Sequence, residues 1–254
     1  MEDSMREIFT IDDIKIRVDD QTSIFRIEFA HPSPSLIRSL IKTKLIQGAT
    51  STSDYKTIQF KATSVKPFAQ FQSDLKTATG APNLPIGVAA HMTGCLTQQL
   101  KYLVSAESRT IIGYTATHVI VINDKKFAYL GSEFVSEIKP IDPDQDLNQD
   151  NNFGNKTQIC YPFSPTDFFV SPELLKIKEL PSHVHYKTAY FSMACLIIYA
   201  LLNNDDFYTE YLQHHQSDKI IAALHPHPIN GTKLYWLLSR CLLEDPERRT
   251  ILLI

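Results

Sequence analysis

The chain has 254 residues, 43% of them hydrophobic, with a formal net charge of −3. That is enough apolar content to bury a full core in one unit, and the small charge creates no global field to draw in nucleic acid or anionic lipid. No local basic patch replaces such a field, so neither a nucleic-acid nor a membrane partner is expected.

The opening MEDSMREIFT has acidic residues and no apolar stretch of the kind a secretory signal needs, which sets the expectation of a cytoplasmic or nuclear address. Over residues 8–29 apolar side chains alternate with polar ones, as in Ile14, Ile16 and Val18 and again in Phe25, Ile27 and Phe29. This period of two predicts a pair of half-buried strands, with Asp19 and Asp20 at the turn. Leu36, Ile37, Leu40, Ile41 and Leu45 then share one face of a predicted helix, which Gly48 is placed to end. A further strand is predicted over 55–62, and Pro67 with Phe68 opens the passage between the two halves of the chain. After a turn at 80–85, Val88, Met92, Cys95, Leu96, Leu100 and Leu103 recur every three or four positions, predicting a long amphipathic helix that ends at Arg109.

Two short strands, 119–122 and 127–130, flank Asn123, Asp124 and Lys125, a hairpin-type break. Residues 140–155 are rich in Asp, Asn and Gln and hold too few apolar side chains to offset their ordering entropy, so a mobile loop is expected. The remainder is predicted to be mostly helical, with breaks at 162–167, 181–185 and 226–231. Within it, residues 190–202 form an apolar run too short to cross a membrane, which predicts a helix buried on all sides. Cys95, Cys160, Cys195 and Cys241 are widely spaced without a Cys-x-x-Cys pair and read as reduced core thiols.

Several short segments occur in a telling order. Leu100, Lys101, Tyr102 and Leu103 precede a loop and the strand Val119, Ile120, Val121; Lys126 to Gly131 follows; then come Ser171, Pro172, Glu173, the run Phe191, Ser192, Met193, Ala194, and finally Arg249. This order resembles the large lobe of the protein kinases over residues 96–250. The resemblance implies an α+β, two-lobed, kinase-like single domain, with a reduced β-rich N-lobe over 1–66 and a mainly helical C-lobe over 67–254. It also implies that Ser171-Pro172-Glu173 stands for the Ala-Pro-Glu of the family and that Arg249 pairs with Glu173, a buried guanidinium gripping a carboxylate by two parallel hydrogen bonds.

The chemistry of the family is missing from the same frame. Counting back from Val119 puts His118 at the metal-binding Asn and Gly113 or Thr115 near the catalytic Asp, while Tyr129 takes the Asp position of Asp-Phe-Gly, where Gly131 alone is kept. A tyrosine hydroxyl is neutral at pH 7 and offers magnesium no hard anionic oxygen. Ala189 stands where the family keeps an Asp that anchors the catalytic loop. The first glycine of the chain is Gly48, so the first strands carry no phosphate cradle. For the strand lysine there is only Arg26, or Lys56 and Lys61 beyond the helix.

The implied function is that of a pseudokinase, a catalytically inactive domain that binds a protein partner as a scaffold or regulator. No catalytic residue, cofactor or metal is assigned, and ATP binding is not expected. Phe207, Tyr208, Tyr211 and Leu212, continuing into 214–221, are the candidate docking surface. One rival is an unorthodox ATP-dependent kinase that recruits Asp124, Glu133 or Asp142 for metal; another is an unrelated helical interaction domain whose short motifs are coincidences. The histidines at 183, 185, 214, 215, 225 and 227 lack ligand spacing and read as surface or loop residues. Glu133 and Glu137 with Asp142 and Asp144 read as a solvated acidic stretch, and His118, Ser132 and Asp124 lack the nucleophile elbow of a hydrolase.

Overall fold

The computed structural model describes residues 5–81, 83–139, 156–160, 162–164, 166–202 and 217–251. The expected loop at 140–155 and the docking candidates Phe207, Tyr208, Tyr211 and Leu212 lie outside them. The described residues form an α+β fold in which every strand pair is antiparallel. No described helix is long and apolar enough to cross a membrane. The chain divides into two units, the first built from residues 1–80, 95–107 and 116–132, the second from 81–94, 108–115 and 133–254.

In the first unit, strands β1 (Arg6–Ile11), β2 (Ile14–Asp19), β3 (Ile24–Glu28), β4 (Thr50–Ser51) and β5 (Thr57–Lys61) form a sheet of order β1-β2-β3-β5-β4. Three strands replace the predicted N-terminal pair. Residues 6–11 turn back at Asp12, whose φ of 47° is left-handed, and a register shift between Glu7 and Phe9 breaks the alternation that would have marked β1. Ile14, Ile16, Ile27 and Ile58 all point to one face and are fully buried, as are Ile37 and Leu40 on helix α1 (Pro34–Lys42). Each such side chain contributes roughly 1.5–3 kcal/mol when taken out of water, so this face accounts for much of the unit's cohesion.

Strand β6 (Val65–Pro67) runs directly into α2 (Phe68–Thr79), a helix absent from the sequence expectation because only Phe68 and Phe71 on it are buried. After α3 (Ile86–Glu107) and the short strand β7 (Arg109–Ile111), the hairpin β8 (Val119–Ile122) and β9 (Lys126–Tyr129) joins β6 in a sheet of order β6-β8-β9. Asn123 and Asp124 at its tip have φ of 55° and 54°, the left-handed pair that a tight hairpin requires and that Asn and Asp tolerate best. Asn123 Oδ1 also accepts from the N–H and hydroxyl of Thr63 at 2.7 and 2.9 Å, tying the turn to the start of β6.

The second unit is less helical than predicted. Strands β10 (Val135–Lys139), β11 (Lys156–Ile159) and β12 (Ser182–His185) join β7 in a sheet of order β12-β11-β10-β7. These strands are short and polar, so their pairing rather than any hydrophobic period defines them. Helix α4 (Pro172–Leu175) follows, then α5 (Thr188–Leu202), whose residues from Phe191 to Ile198 are all buried, in line with the apolar run. Helices α6 (Ser217–Ala223) and α7 (Lys233–Cys241) complete the unit, with α7 packed on α5. Cys95, Cys195 and Cys241 are buried, but Cys160 is exposed at the end of β11, which corrects its assignment to the core. Burial pushes the Cys241 thiol up to about 12, so it stays protonated.

Candidate functional site

Glu173 and Arg249, 76 residues apart in sequence, meet in the second unit. Local chemistry places both. Ser171 has the extended backbone of a helix N-cap and Pro172 starts α4, so Glu173 emerges from a fixed first turn. The Ser171 hydroxyl lies 2.5 Å from that of Thr188, the first residue of α5, and both are fully buried. At the other end, Asp245 Oδ1 accepts from the Glu247 N–H at 2.9 Å and caps a 3-10 turn over Pro246–Arg248, which delivers Arg249 inward.

The Arg249 side chain is 0% exposed. Its Nη1 and Nη2 donate to Glu173 Oε1 and Oε2 at 2.5 and 2.8 Å. The Nε donates to the Leu243 carbonyl at 2.7 Å, Nη2 also to that of Glu244 at 3.0 Å, and Nη1 also to that of Lys187 at 3.4 Å. A guanidinium has five N–H donors, and here each has an acceptor. The group also lies 5.1 Å from the Phe191 ring centroid, a cation–π contact. Nothing in this arrangement is free to react; it fastens α4, the start of α5 and the loop after α7 together. His185 sits beside it, its Nδ1 accepting from the Lys187 N–H at 3.1 Å. Burial first, then the nearby Lys187 and Arg249 cations against Glu173 and Asp245, lowers its pKa to about 4.

The positions compared with kinase catalytic groups fall in two sets. Gly113 and Thr115 belong to the second unit. A Cβ at Gly113 would sit inside the Phe168 ring, so no side chain fits there without displacing a buried aromatic. The adjacent Tyr114 is fully buried, its N–H donating to Ser192 Oγ at 2.7 Å and its carbonyl accepting from the Phe169 N–H at 3.1 Å. Burial raises its hydroxyl pKa. Tyr114, Phe168 and Ser192 together fix the loop, and sequence reasoning noted only Ser192, as part of a helix motif. Thr115 is half-buried.

His118 and Tyr129 belong to the first unit, where their rings lie 6.0 Å apart. His118 is 3% exposed and its Nε2 is 2.9 Å from Asp12 Oδ2, while its carbonyl accepts from the Leu130 N–H at 2.9 Å. Tyr129 is fully buried and its main chain is clamped by Gln99 on α3. Gln99 Oε1 accepts the Tyr129 N–H at 3.0 Å, and Gln99 Nε2 donates to the Tyr129 carbonyl at 2.9 Å and to Ser39 Oγ at 3.2 Å. That buried amide was not singled out from the sequence; its signal was a lone glutamine on the apolar face of a long helix.

Asp124 lies 3.0 Å from Lys66, which also pairs with Asp74 at 2.8 Å, and these two carboxylates raise the lysine's pKa. Glu133 and Glu137 are exposed, and Asp142 and Asp144 lie outside the described residues. Arg26 is 3.6 Å from Glu28, and Lys56 and Lys61 are exposed. Of the histidines, His183 and His225 are exposed, His185 and His227 half-buried, and His214 and His215 lie outside the described residues. No family model matches the chain, and no curated protein matches it.

Proposed function

We propose that this protein is a catalytically inactive, protein-kinase-like domain that serves as a protein-binding module, a pseudokinase acting as scaffold or regulator. The observation that carries the proposal is the forked pairing of Glu173 with Arg249. In the family resembled, an Ala-Pro-Glu glutamate and a late arginine make this contact, and a bidentate pair across 76 residues with a fully buried guanidinium is a demanding coincidence for two unrelated short motifs. Support for inactivity comes from the residue types at the matched positions. His118 and Tyr129 offer an imidazole and a phenol where the family has an amide and a carboxylate, and Gly113 has a phenylalanine ring in the space a side chain would need.

Thermal unfolding with and without ATP and magnesium tests the proposal. A ligand at a hundredfold over its Kd would add roughly 2.7 kcal/mol of stability. The expected result is an unchanged Tm and no transfer of labelled phosphate to protein substrates. A magnesium-dependent rise in Tm accompanied by turnover would overturn it in favour of an unorthodox kinase.

A further inference from the structure

The outward face of α7 is unlike the rest of the described surface. On this helix Leu234, Tyr235, Leu237, Leu238 and Cys241 are buried, and Lys233, Trp236 and Arg240 are exposed along the opposite stripe. Trp236 is 57% exposed, the most exposed large hydrophobic side chain described. Its ring rests edge-on against Tyr235, with centroids 5.2 Å apart, which holds it upright. Folding explains neither Trp236 nor Lys233, whereas Arg240 in the last turn also suits the negative end of the helix dipole. An indole left more than half exposed forgoes much of the stabilisation that burial of a large apolar side chain supplies. Lys233 is the first residue of the helix, beside the Thr232 N-cap, where the positive end of the helix dipole disfavours a cation. Among the described residues neither Lys233 nor Arg240 has an ion-pair partner.

We infer that this stripe is a docking face for an acidic segment of a partner protein, with an apolar side chain of the segment on Trp236 and carboxylates on Lys233 and Arg240. Tryptophan and arginine are the residue types that most often anchor interfaces, and two unpaired cations flanking an aromatic ring select a negative partner. Lys233 and Arg240 are separated by a rise of about 10 Å along the helix. An extended chain turns alternate side chains to one face, so the fitting segment has acidic residues four apart with an apolar residue midway, a span of about 13 Å that the long lysine and arginine side chains can meet. This inference rests on the binding-module proposal and names its partner chemistry. The two fail separately, because nucleotide binding and turnover test the one and peptide selection the other.

The experiment is selection of a random displayed peptide library on the whole chain, followed by titration of enriched, tryptophan-free peptides. Trp236 is the single tryptophan of the protein, so its fluorescence reports the face directly. The expected outcome is enrichment of acid-apolar-acid peptides that shift Trp236 emission to shorter wavelength. Trp236→Ala should weaken their binding at least about tenfold, measured by anisotropy of a labelled peptide. The double variant Lys233→Glu, Arg240→Glu, whose unchanged far-ultraviolet dichroism would show an intact fold, should reverse the selection toward basic peptides. No enrichment, enrichment without acidic residues, or binding that survives Trp236→Ala would overturn the inference. So would an emission shift produced by phosphatidylserine vesicles but by none of the peptides, or one that needs only a higher concentration of the protein itself.

Discussion

Each of the two units contains an arginine that forks onto a glutamate, and the surroundings of the two pairs differ. In the first unit Arg38 on α1 donates through Nε and Nη2 to Glu107, at the end of α3, at 2.8 and 2.5 Å. Its guanidinium also lies 5.4 Å from the Tyr55 ring centroid. Side-chain exposure there is 36% for Arg38 and 10% for Glu107, against 0% for Arg249 and 16% for Glu173 in the second unit. Beyond its carboxylate, Arg249 serves three main-chain carbonyls, those of Leu243, Glu244 and Lys187. The same fork is therefore a surface strut in one unit and an internal junction in the other, and burial with main-chain acceptors decides which.

The largest effect should come from breaking the buried pair. Arg249→Met should lower unfolding free energy by about 3–5 kcal/mol, because Glu173 and three carbonyls lose their donors together. Arg38→Met should cost no more than about 1 kcal/mol, the ordinary range for a partly exposed pair. Urea denaturation of both variants measures the difference, and equal costs would abolish the distinction drawn here.

Charge exchange should separate the pairs next. Arg38→Glu with Glu107→Arg should retain most stability, since the two side chains serve mainly each other. Glu173→Arg with Arg249→Glu should fail to recover, because a carboxylate at 249 would face the Leu243, Glu244 and Lys187 carbonyls with no proton to offer. Urea midpoints of the two double variants decide it, and full recovery of the second would mean that the main-chain bonds contribute little.

A smaller effect concerns pH. The folded pKa of His185 is about 4 against an ordinary 6.5, so below 6.5 the unfolded chain takes up a proton that the folded one refuses. Stability supplied by keeping His185 neutral is complete above pH 6.5 and is lost as the pH falls toward 4. In the first unit, the Arg38 guanidinium holds the Glu107 carboxyl below its usual range, and that contribution is lost only as the pH drops below 4.5. Tm measured from pH 8 to 4 should decline from about 6.5, and His185→Gln should flatten the decline above 4.5 without removing the steeper loss beneath it.

The smallest effect is that of salt. At 1 M the Debye length is about 3 Å, so the cost of Arg38→Met should shrink while that of Arg249→Met stays as it was. Paired urea curves at low and high salt report it.

How far these features were legible in the sequence depended on whether the signal was local. Period-two alternation disclosed the strands around Ile14 to Ile27, and Asn123-Asp124 disclosed the hairpin, because each is written in adjacent residues. Glu173 and Arg249 were legible as a pair only through the family resemblance, since nothing local marks a contact across 76 positions. The turn at Asp12, helix α2, and strands β11 and β12 were not legible. A register shift hid the first, too few buried residues the second, and short polar strands that exist only by pairing the last. Gln99 and Phe168 were invisible for the same reason: an amide bridging two main-chain groups, or a ring filling the place of a side chain, is defined by what folds against it.

The Phe168 ring over Gly113 also constrains how this chain can change. A single replacement of that glycine by aspartate would need room already taken by an aromatic group at the centre of a cluster with Val170, Leu174 and Val184. Entry of an acid at that place therefore has an obligatory order: the ring must shrink first, at a loss of packing and with nothing gained, before a carboxylate can be accommodated.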